Sequence, residues 1–258
     1  MHLPAVQPAD LSPLSSFQYL EHLSVSIRLD YSMLAALPNP IKLSRLRSLA
    51  VSSDQFSAIG ALVAAVEHPI HGELSNVLSL LVARCPALIT FSWTSDLCQE
   101  NEDRFRPGVL AELIAPLLSV RTIRNFSASF KGHVVSYAPS GFRAFAGAWP
   151  ELETLELRNA LHSNKTDVNA YADFESLVSF AHHCPRLRRL YIPKVKFDRP
   201  AAAAVVRPSA PHWLRSLVVE TVILCEEQLE DEVFEYRLRT LKRLVQEVFP
   251  EATIDVRL

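Results

Sequence analysis

Two short runs hold residue types that could bind a metal ion, His68-Pro-Ile-His71 and His182-His183-Cys184. Imidazole nitrogen and thiolate sulfur are common zinc ligands, but a zinc site needs further ligands at suitable spacing, and neither run has a second pair. No glycine-rich phosphate loop, nucleophile elbow or zinc-protease motif occurs, and the chain has only 6 glycines. We therefore expect no catalytic residue, no cofactor and no metal, and we predict that the protein is not an enzyme.

Residues 186–199 form a run of basic side chains. Its members are Arg186, Arg188, Arg189, Lys194, Lys196 and Arg199, opposed only by Asp198. Such a run could dock an acidic peptide, a phosphopeptide or a nucleic acid. The alternative is a solvated edge of a repeat, partly neutralised by Glu151, Glu153 and Glu156. The formal charge of the whole chain is −2, which argues against nucleic acid as the partner.

The elements that position these residues come from a repeated phrase, Leu-x-x-Leu-x-Leu. Its seven copies begin at Leu20, Leu46, Leu88, Ile123, Leu152, Leu187 and Leu214, and all 21 of their key positions are apolar. The alternation at the end of each phrase is typical of a short strand. Helical patterns lie between the phrases, and several end at a proline, as in Trp149-Pro150 and Cys184-Pro185. An eighth unit opens at Phe249-Pro250 with a phrase one residue shorter, and we expect Ile254 and Val256 to be its inward pair.

Strands and helices that alternate with starts 26–42 residues apart predict an α/β leucine-rich-repeat solenoid, a horseshoe of about eight irregular repeats. Its parallel strands would form a curved sheet on the concave side, with helices on the convex side. A helical repeat is the alternative, but the prolines and the β-branched ends of the phrases favour strands. We expect residues 1–16 to be a poorly ordered segment and residues 17–258 to be a single domain. Within it, 228–248 would be a capping helix, rather than an acidic partner-binding segment, and a final strand would follow.

Strand alternation also predicts which side chains face the concave side. Units one to four would present mainly small hydroxyl residues, whereas units five to seven would present long charged side chains and a tyrosine. Since arginine and tyrosine are typical anchors of protein interfaces, we expect a partner to bind in the second half. The candidate partner-binding residues are Glu156, Arg158, Arg189, Tyr191 and Glu220. The polar loops 95–107 and 158–172 are the other candidates, with surface insertion as the alternative.

The phrases Cys85-Pro-Ala-Leu88, Trp149-Pro-Glu-Leu152-Glu-Thr-Leu155-Glu-Leu157 and Cys184-Pro-Arg-Leu187-Arg-Arg-Leu190, with their uneven spacing, resemble the leucine-rich region of fungal F-box proteins over about residues 17–258. The resemblance implies a substrate receptor of a cullin–RING ubiquitin ligase, whose F-box helices dock an adaptor. Only 16 residues precede the first repeat, too few for an F-box. Adaptor binding is therefore expected only if an F-box lies upstream, and no residue of this sequence inherits that role.

Compartment and function follow from what the sequence lacks. No secretory signal and no membrane-length apolar run occurs, and the four cysteines show no CxxC spacing, so we expect a cytoplasmic or nuclear protein with reduced thiols and no membrane partner. The predicted function is a non-catalytic protein-interaction module, a receptor region of the F-box type without an evident F-box. The alternative is a stand-alone intracellular scaffold or inhibitor unrelated to ubiquitin ligases. In both cases the partner would be a protein or peptide on the concave face.

Overall fold

A computed structural model describes residues 2–6, 19–27, 44–53, 74–96, 108–131, 135–158, 171–197, 212–224 and 231–256. The strands are β1 His2–Val6, β2 His22–Ile27, β3 Ser48–Ser53, β4 Thr90–Asp96, β5 Gly108–Val109, β6 Asn125–Lys131, β7 Val135–Ser136, β8 Thr154–Arg158, β9 Ala172–Asp173, β10 Arg189–Phe197, β11 Ser216–Leu224 and β12 Thr253–Val256. The α-helices are α1 Leu74–Arg84, α2 Leu110–Leu113, α3 Pro139–Ala148, α4 Phe174–His183 and α5 Asp231–Val248, with a 3₁₀ helix at Ala115–Ser119. Most of the two candidate binding loops, 97–107 and 159–170, lies outside the described residues.

The main sheet contains nine strands in the order β1-β2-β3-β4-β6-β8-β10-β11-β12, all paired in parallel, with the short β9 added alongside β10. Strands β5 and β7 form a separate two-stranded parallel sheet. Strands that neighbour one another along the chain therefore neighbour one another in the main sheet. Parallel neighbours need a crossover between them, and helices α1, α3, α4 and α5 fall in such crossovers. The fold is α/β, as predicted.

The predicted inward residues form the core. Leu155, Leu157, Leu190 and Ile192 are all fully buried, and they belong to one hydrophobic cluster that runs through strands and helices. Because side chains alternate along a strand, Glu156 of β8 and Tyr191 of β10 point to the side of the sheet opposite these four residues. The helical alternative is therefore wrong for residues 154–158 and 189–197, which are strands.

The same tight turn joins helix to strand in five units. In each one, the first apolar residue of the phrase donates its backbone N–H to the carbonyl of a buried residue at the end of the preceding helix. The pairs are Leu88 with Cys85, Ile123 with Val120, Leu152 with Trp149, Leu187 with Cys184, and Ala252 with Phe249. Proline follows the acceptor in four of them, where it stops the helix and gives up only an N–H that the turn does not use.

The two ends of the sheet depart from the regular units in different ways. Strand β1 has no copy of the phrase, and its backbone pairs in parallel with β2. At the other end, Ile254 and Val256 of β12 align with Leu217 and Val219, which confirms the inward pair of the shortened eighth phrase. Helix α5 lies within the predicted capping helix 228–248, of which residues 228–230 are not described. Among the described residues, no helix is long and apolar enough to cross a membrane.

Unit seven places a histidine in the buried turn. His212 is 4% exposed, and its ring packs edge-on against Phe249 with centroids 4.9 Å apart. Nδ1 accepts the backbone N–H of Leu214 at 3.1 Å, so the ring proton is on Nε2, which donates to the carbonyl of Cys184 at 2.9 Å. Burial lowers the pKa of His212, although the hydrogen bonds to backbone carbonyls act in the opposite direction. The folded protein therefore holds this ring neutral.

We expect His212 to make the protein less stable as the pH falls. Below the ordinary histidine pKa of 6.5 the unfolded chain takes up a proton that the folded ring resists, so the free energy of unfolding decreases by up to about 1.4 kcal/mol per pH unit until the folded pKa is reached. Urea unfolding between pH 7 and pH 5 measures this slope. His212→Asn should flatten it, whereas His183→Asn, at an exposed position, should leave it as in the wild type. An equal slope in His212→Asn and wild type would contradict this assignment.

Candidate interaction surface

The side of the main sheet opposite the core, which we call the open face, presents rows of residues that run across the strands. One row consists of His22, Ser48, Thr90, Asn125, Thr154, Arg189 and Ser216. The next row consists of Ser24, Ala50, Ser92, Ser127, Glu156, Tyr191 and Val218. Small residues dominate from β2 to β6, and charged and aromatic residues enter from β8 onward, which is the division that the sequence predicts.

The five candidate partner-binding residues contact one another in a continuous chain, which we call the polar cluster. Arg189 and Arg158 donate to the two carboxylate oxygens of Glu156, with N–O distances of 3.2 and 3.3 Å. The guanidinium carbon of Arg158 lies 4.8 Å from the centroid of the Tyr191 ring, and the Tyr191 hydroxyl donates to Glu220 Oε1 at 2.6 Å. The structure thus brings together all five residues that the sequence singled out.

Strand register explains why this chain of contacts forms. Glu156 and Arg158 lie two apart in β8, and Arg189 and Tyr191 lie two apart in β10, so all four point to the open face. Tyr191 is paired directly with Glu156, and the pairing of Ile192 with Val219 brings Glu220 to the same region. Opposite charges on neighbouring strands contribute about 0.2–1 kcal/mol each, so the cluster is modestly stabilising as well as polar.

Strand alternation predicts that Tyr191 is exposed on the face opposite the core, and this prediction is wrong. The side chain is only 6% exposed, because the Arg158 guanidinium covers one side of its ring and Glu220 binds its hydroxyl. Glu156 is also mostly covered, with 17% of its side chain exposed, since two arginines bind it. By contrast, 53% of the Arg158 side chain and 62% of the Arg189 side chain are exposed. The two arginines therefore form the accessible part of the polar cluster, and Tyr191 supports them.

A buried tyrosine is electrostatically linked to the same cluster. The Tyr137 hydroxyl is buried and has no hydrogen-bond partner among the described residues. Burial, and after it the negative charge of Glu220, raises the pKa of Tyr137 well above that of an ordinary tyrosine. Tyr137 is therefore uncharged at any physiological pH and contributes its ring to the core, where it packs near Phe142.

The basic run 186–199 does not form one patch. Arg186 and Arg188 lie in the turn before β10, Arg189 lies on the open face, and Lys194 and Lys196 lie near the far end of the strand. At about 3.3 Å per residue, Arg189 and Lys196 are separated by roughly 23 Å along β10, and Arg186 and Arg188 lie beyond Arg189 in the turn. Arg186 pairs with Glu151 and Arg189 with Glu156, in agreement with the partly neutralised alternative. Arg199 lies outside the described residues.

The second histidine run does not converge on a common point. His182 and His183 are exposed at the end of α4, whereas Cys184 is fully buried, with its sulfur within 3.5 Å of the carbonyls of Ala146 and Trp149. Burial raises the pKa of the Cys184 thiol to about 12, so it stays protonated and is a poor metal ligand. Among the described residues, no group of three or more potential ligands is close enough to hold a metal ion. His68 and His71 are not among the described residues.

Sequence reasoning missed two exposed aromatic residues. Tyr19 is 73% exposed and Trp213 is 57% exposed, and both come directly before the first leucine of a phrase. Other units place Arg45, Glu151 or Arg186 at this position, so the position itself is solvated. The other units place no aromatic residue in this column, which holds Ala87 and Thr122 besides charged residues, so Tyr19 and Trp213 were a signal that the aligned repeats contained.

No protein-family model matches the chain, and no curated protein matches it either.

Proposed function

We propose that the chain is a leucine-rich-repeat solenoid that acts as a non-catalytic protein-interaction module, of the kind that serves as a substrate receptor in fungal F-box proteins. In this proposal the main sheet curves as a horseshoe, and its open face is the concave side. A protein or peptide partner binds there, over β8, β10 and β11. Recruitment to a cullin–RING ligase would require an F-box upstream, and without one the module would act as a scaffold or inhibitor.

The polar cluster is the observation that carries this proposal. It presents two arginines that are more than half exposed, held in place by the mostly covered carboxylate of Glu156 and the buried Tyr191. Arginines that are ordered before binding lose little conformational freedom when a partner docks, and fixed anchors of this kind dominate interface energetics. The small hydroxyl residues on β3, β4 and β6 allow close approach of a partner and give little binding energy of their own.

The test compares two double variants on the same face. Arg158→Ala with Arg189→Ala removes both exposed anchors, and Ser92→Ala with Ser127→Ala changes two small residues of the open face that neighbour one another across β4 and β6. Each tagged protein is used as bait in a lysate of the source organism, and partners retained by wild type are identified by quantitative mass spectrometry and then titrated. We expect the arginine variant to bind such a partner about thirtyfold more weakly, and the serine variant to bind it as wild type does.

Two controls keep the test specific. Circular dichroism and urea unfolding should show that both variants are folded, because none of the four side chains lies on the core side of its strand. Tyr191→Phe keeps the buried ring and removes the hydrogen bond to Glu220, so it should weaken binding only if that bond positions Arg158. Equal affinity of the arginine and serine variants for the partner would exclude the open face as its binding surface.

A further inference from the structure

The turns that lead into the strands line one edge of the main sheet, which we call the N-terminal rim. Its described residues are 19–21, 44–47, 85–89, 120–124, 149–153, 184–188, 212–215 and 249–252. They contain seven arginines and four glutamates, with no lysine or aspartate, for a net charge of +3. The whole chain has a formal charge of −2. The rim is thus a basic edge on a weakly acidic protein.

The arginines of the rim differ in whether they already have an acidic partner. Arg124 pairs with Glu151 and Glu153, and Arg215 pairs with Glu251 at 2.5 Å. Arg186 also pairs with Glu151. The remaining arginines include Arg47, Arg121 and Arg188, which are exposed and form no ion pair within the described residues. These three guanidinium groups can therefore donate hydrogen bonds to an external carboxylate without breaking an internal pair.

Exposed aromatic rings lie on the same edge. Tyr19 and Trp213 are two of the three large exposed hydrophobic side chains among the described residues. The guanidinium carbon of Arg45 lies 4.7 Å from the Tyr19 ring centroid, and that of Arg215 lies 6.0 Å from the Trp213 ring centroid. Arginine with tyrosine or tryptophan is the composition of interface hot spots, and an exposed tryptophan on a free surface is uncommon.

We propose that the N-terminal rim is a second interaction surface, which binds an acidic protein segment in an extended conformation. Backbone hydrogen bonds run across the rim from Arg124 to Ile89 and from Ile89 to Arg47, so the turn that carries the unpaired Arg121 lies two strands from Arg47. Two strands span about 10 Å, and an extended chain covers that distance in about three residues. A segment with a carboxylate at about every third residue therefore matches the spacing of the rim, with Trp213 and Tyr19 towards its ends.

The arrangement of charges favours a protein segment over a nucleic acid. Glu151 and Glu153 lie in the middle of the rim, between the turns of Arg124 and Arg188. A phosphate backbone carries a charge at every step and would have to cross both carboxylates. A peptide can place neutral residues opposite the glutamates and acidic residues opposite the arginines. This surface is separate from the open face, so the proposal is independent of the function assigned to the polar cluster.

Fluorescence anisotropy with defined probes tests the proposal. The probe is a labelled peptide of Glu-Gly-Ser repeats, with the matching Gln-Gly-Ser peptide and a labelled oligothymidylate as comparisons, at low ionic strength. We expect the full chain to bind the glutamate peptide in preference to both comparisons. Arg47→Ala with Arg188→Ala should weaken that binding about tenfold. The matched change Arg239→Ala with Arg243→Ala, on exposed positions of α5, removes the same charge and should have no effect.

Quenching of tryptophan fluorescence tests whether the peptide binds at the N-terminal rim. Trp93 and Trp149 are fully buried, so Trp213 is the one tryptophan of the three that is open to a soluble quencher. Binding of the glutamate peptide should protect Trp213 from iodide, and Arg158→Ala with Arg189→Ala should not change that protection. The proposal is overturned by equal binding of the glutamine peptide, by equal losses in the rim and α5 variants, by tighter binding of the oligothymidylate, or by no binding of the glutamate peptide.

Discussion

Replacing Leu155 by aspartate is expected to leave the protein largely unfolded. Leu155 is fully buried in the centre of the main sheet, where it belongs to the hydrophobic cluster shared by strands and helices. Loss of a buried leucine side chain costs about 2–5 kcal/mol, and burial of an ionised carboxylate without a partner adds several more. The total approaches the roughly 5–15 kcal/mol by which a folded protein of ordinary stability exceeds its unfolded state. Circular dichroism and urea unfolding measure the outcome.

The matched control is one residue away in the same strand. Thr154 points to the open face, where its paired neighbour in β10 is Arg189, so Thr154→Asp adds a carboxylate near an arginine in partly solvated surroundings. We expect this variant to unfold within about 1 kcal/mol of wild type, since exposed ion pairs change stability little. A folded Leu155→Asp protein with a wild-type midpoint would show that the alternation of β8 is not as the structure has it.

Much of the fold could be predicted from the sequence because the repeated phrase indicates two features of each unit. Its apolar positions fix which side of each strand is inward, and the proline after Cys85, Trp149 and Cys184 fixes where the preceding helix ends. Even the shortened last phrase was readable, since Ile254 and Val256 keep the period of two when the leading residues do not. Residues 2–6 carry no such phrase. Their strand forms through backbone pairing with β2, so no side-chain pattern could have predicted it.

The sequence predicted which residues lie together on the open face, but it did not predict how exposed each side chain is. Alternation indicates that Tyr191 and Glu156 point away from the core, yet their exposure depends on the neighbouring side chains that fold over them. The Arg158 guanidinium covers the Tyr191 ring, and that contact crosses between strands 33 residues apart in sequence. The basic run was also misleading for a spatial reason. Its residues are contiguous in sequence, but they are spread along the length of β10 and the turn before it. The buried position of His212 could not be predicted either, because its ring binds the backbone of both Leu214 and Cys184, and the sequence does not show that these two groups lie together.

Trp149 contacts three different elements of the core, and we expect its replacement to cause the second large loss of stability. Its ring stacks on Phe145 of α3, with centroids 5.6 Å apart, and on Phe126 of β6, with centroids 4.9 Å apart. Its indole N–H donates to the carbonyl of Leu117 in the 3₁₀ helix at 3.1 Å. One side chain thus holds a strand, an α-helix and a 3₁₀ helix together, at the buried turn position that precedes proline.

Trp149→Ala should therefore lower the free energy of unfolding by about 3–5 kcal/mol, since it opens a large cavity and ends two aromatic contacts. Trp149→Phe retains a ring against Phe126 and Phe145 and should recover part of that loss, while the carbonyl of Leu117 loses its indole donor. The control is Trp213→Ala, which removes the same kind of side chain from an exposed position and should shift stability by less than about 0.5 kcal/mol. Urea unfolding of the three variants ranks them. Equal losses in Trp149→Ala and Trp213→Ala would contradict the buried position of Trp149 between β6 and α3.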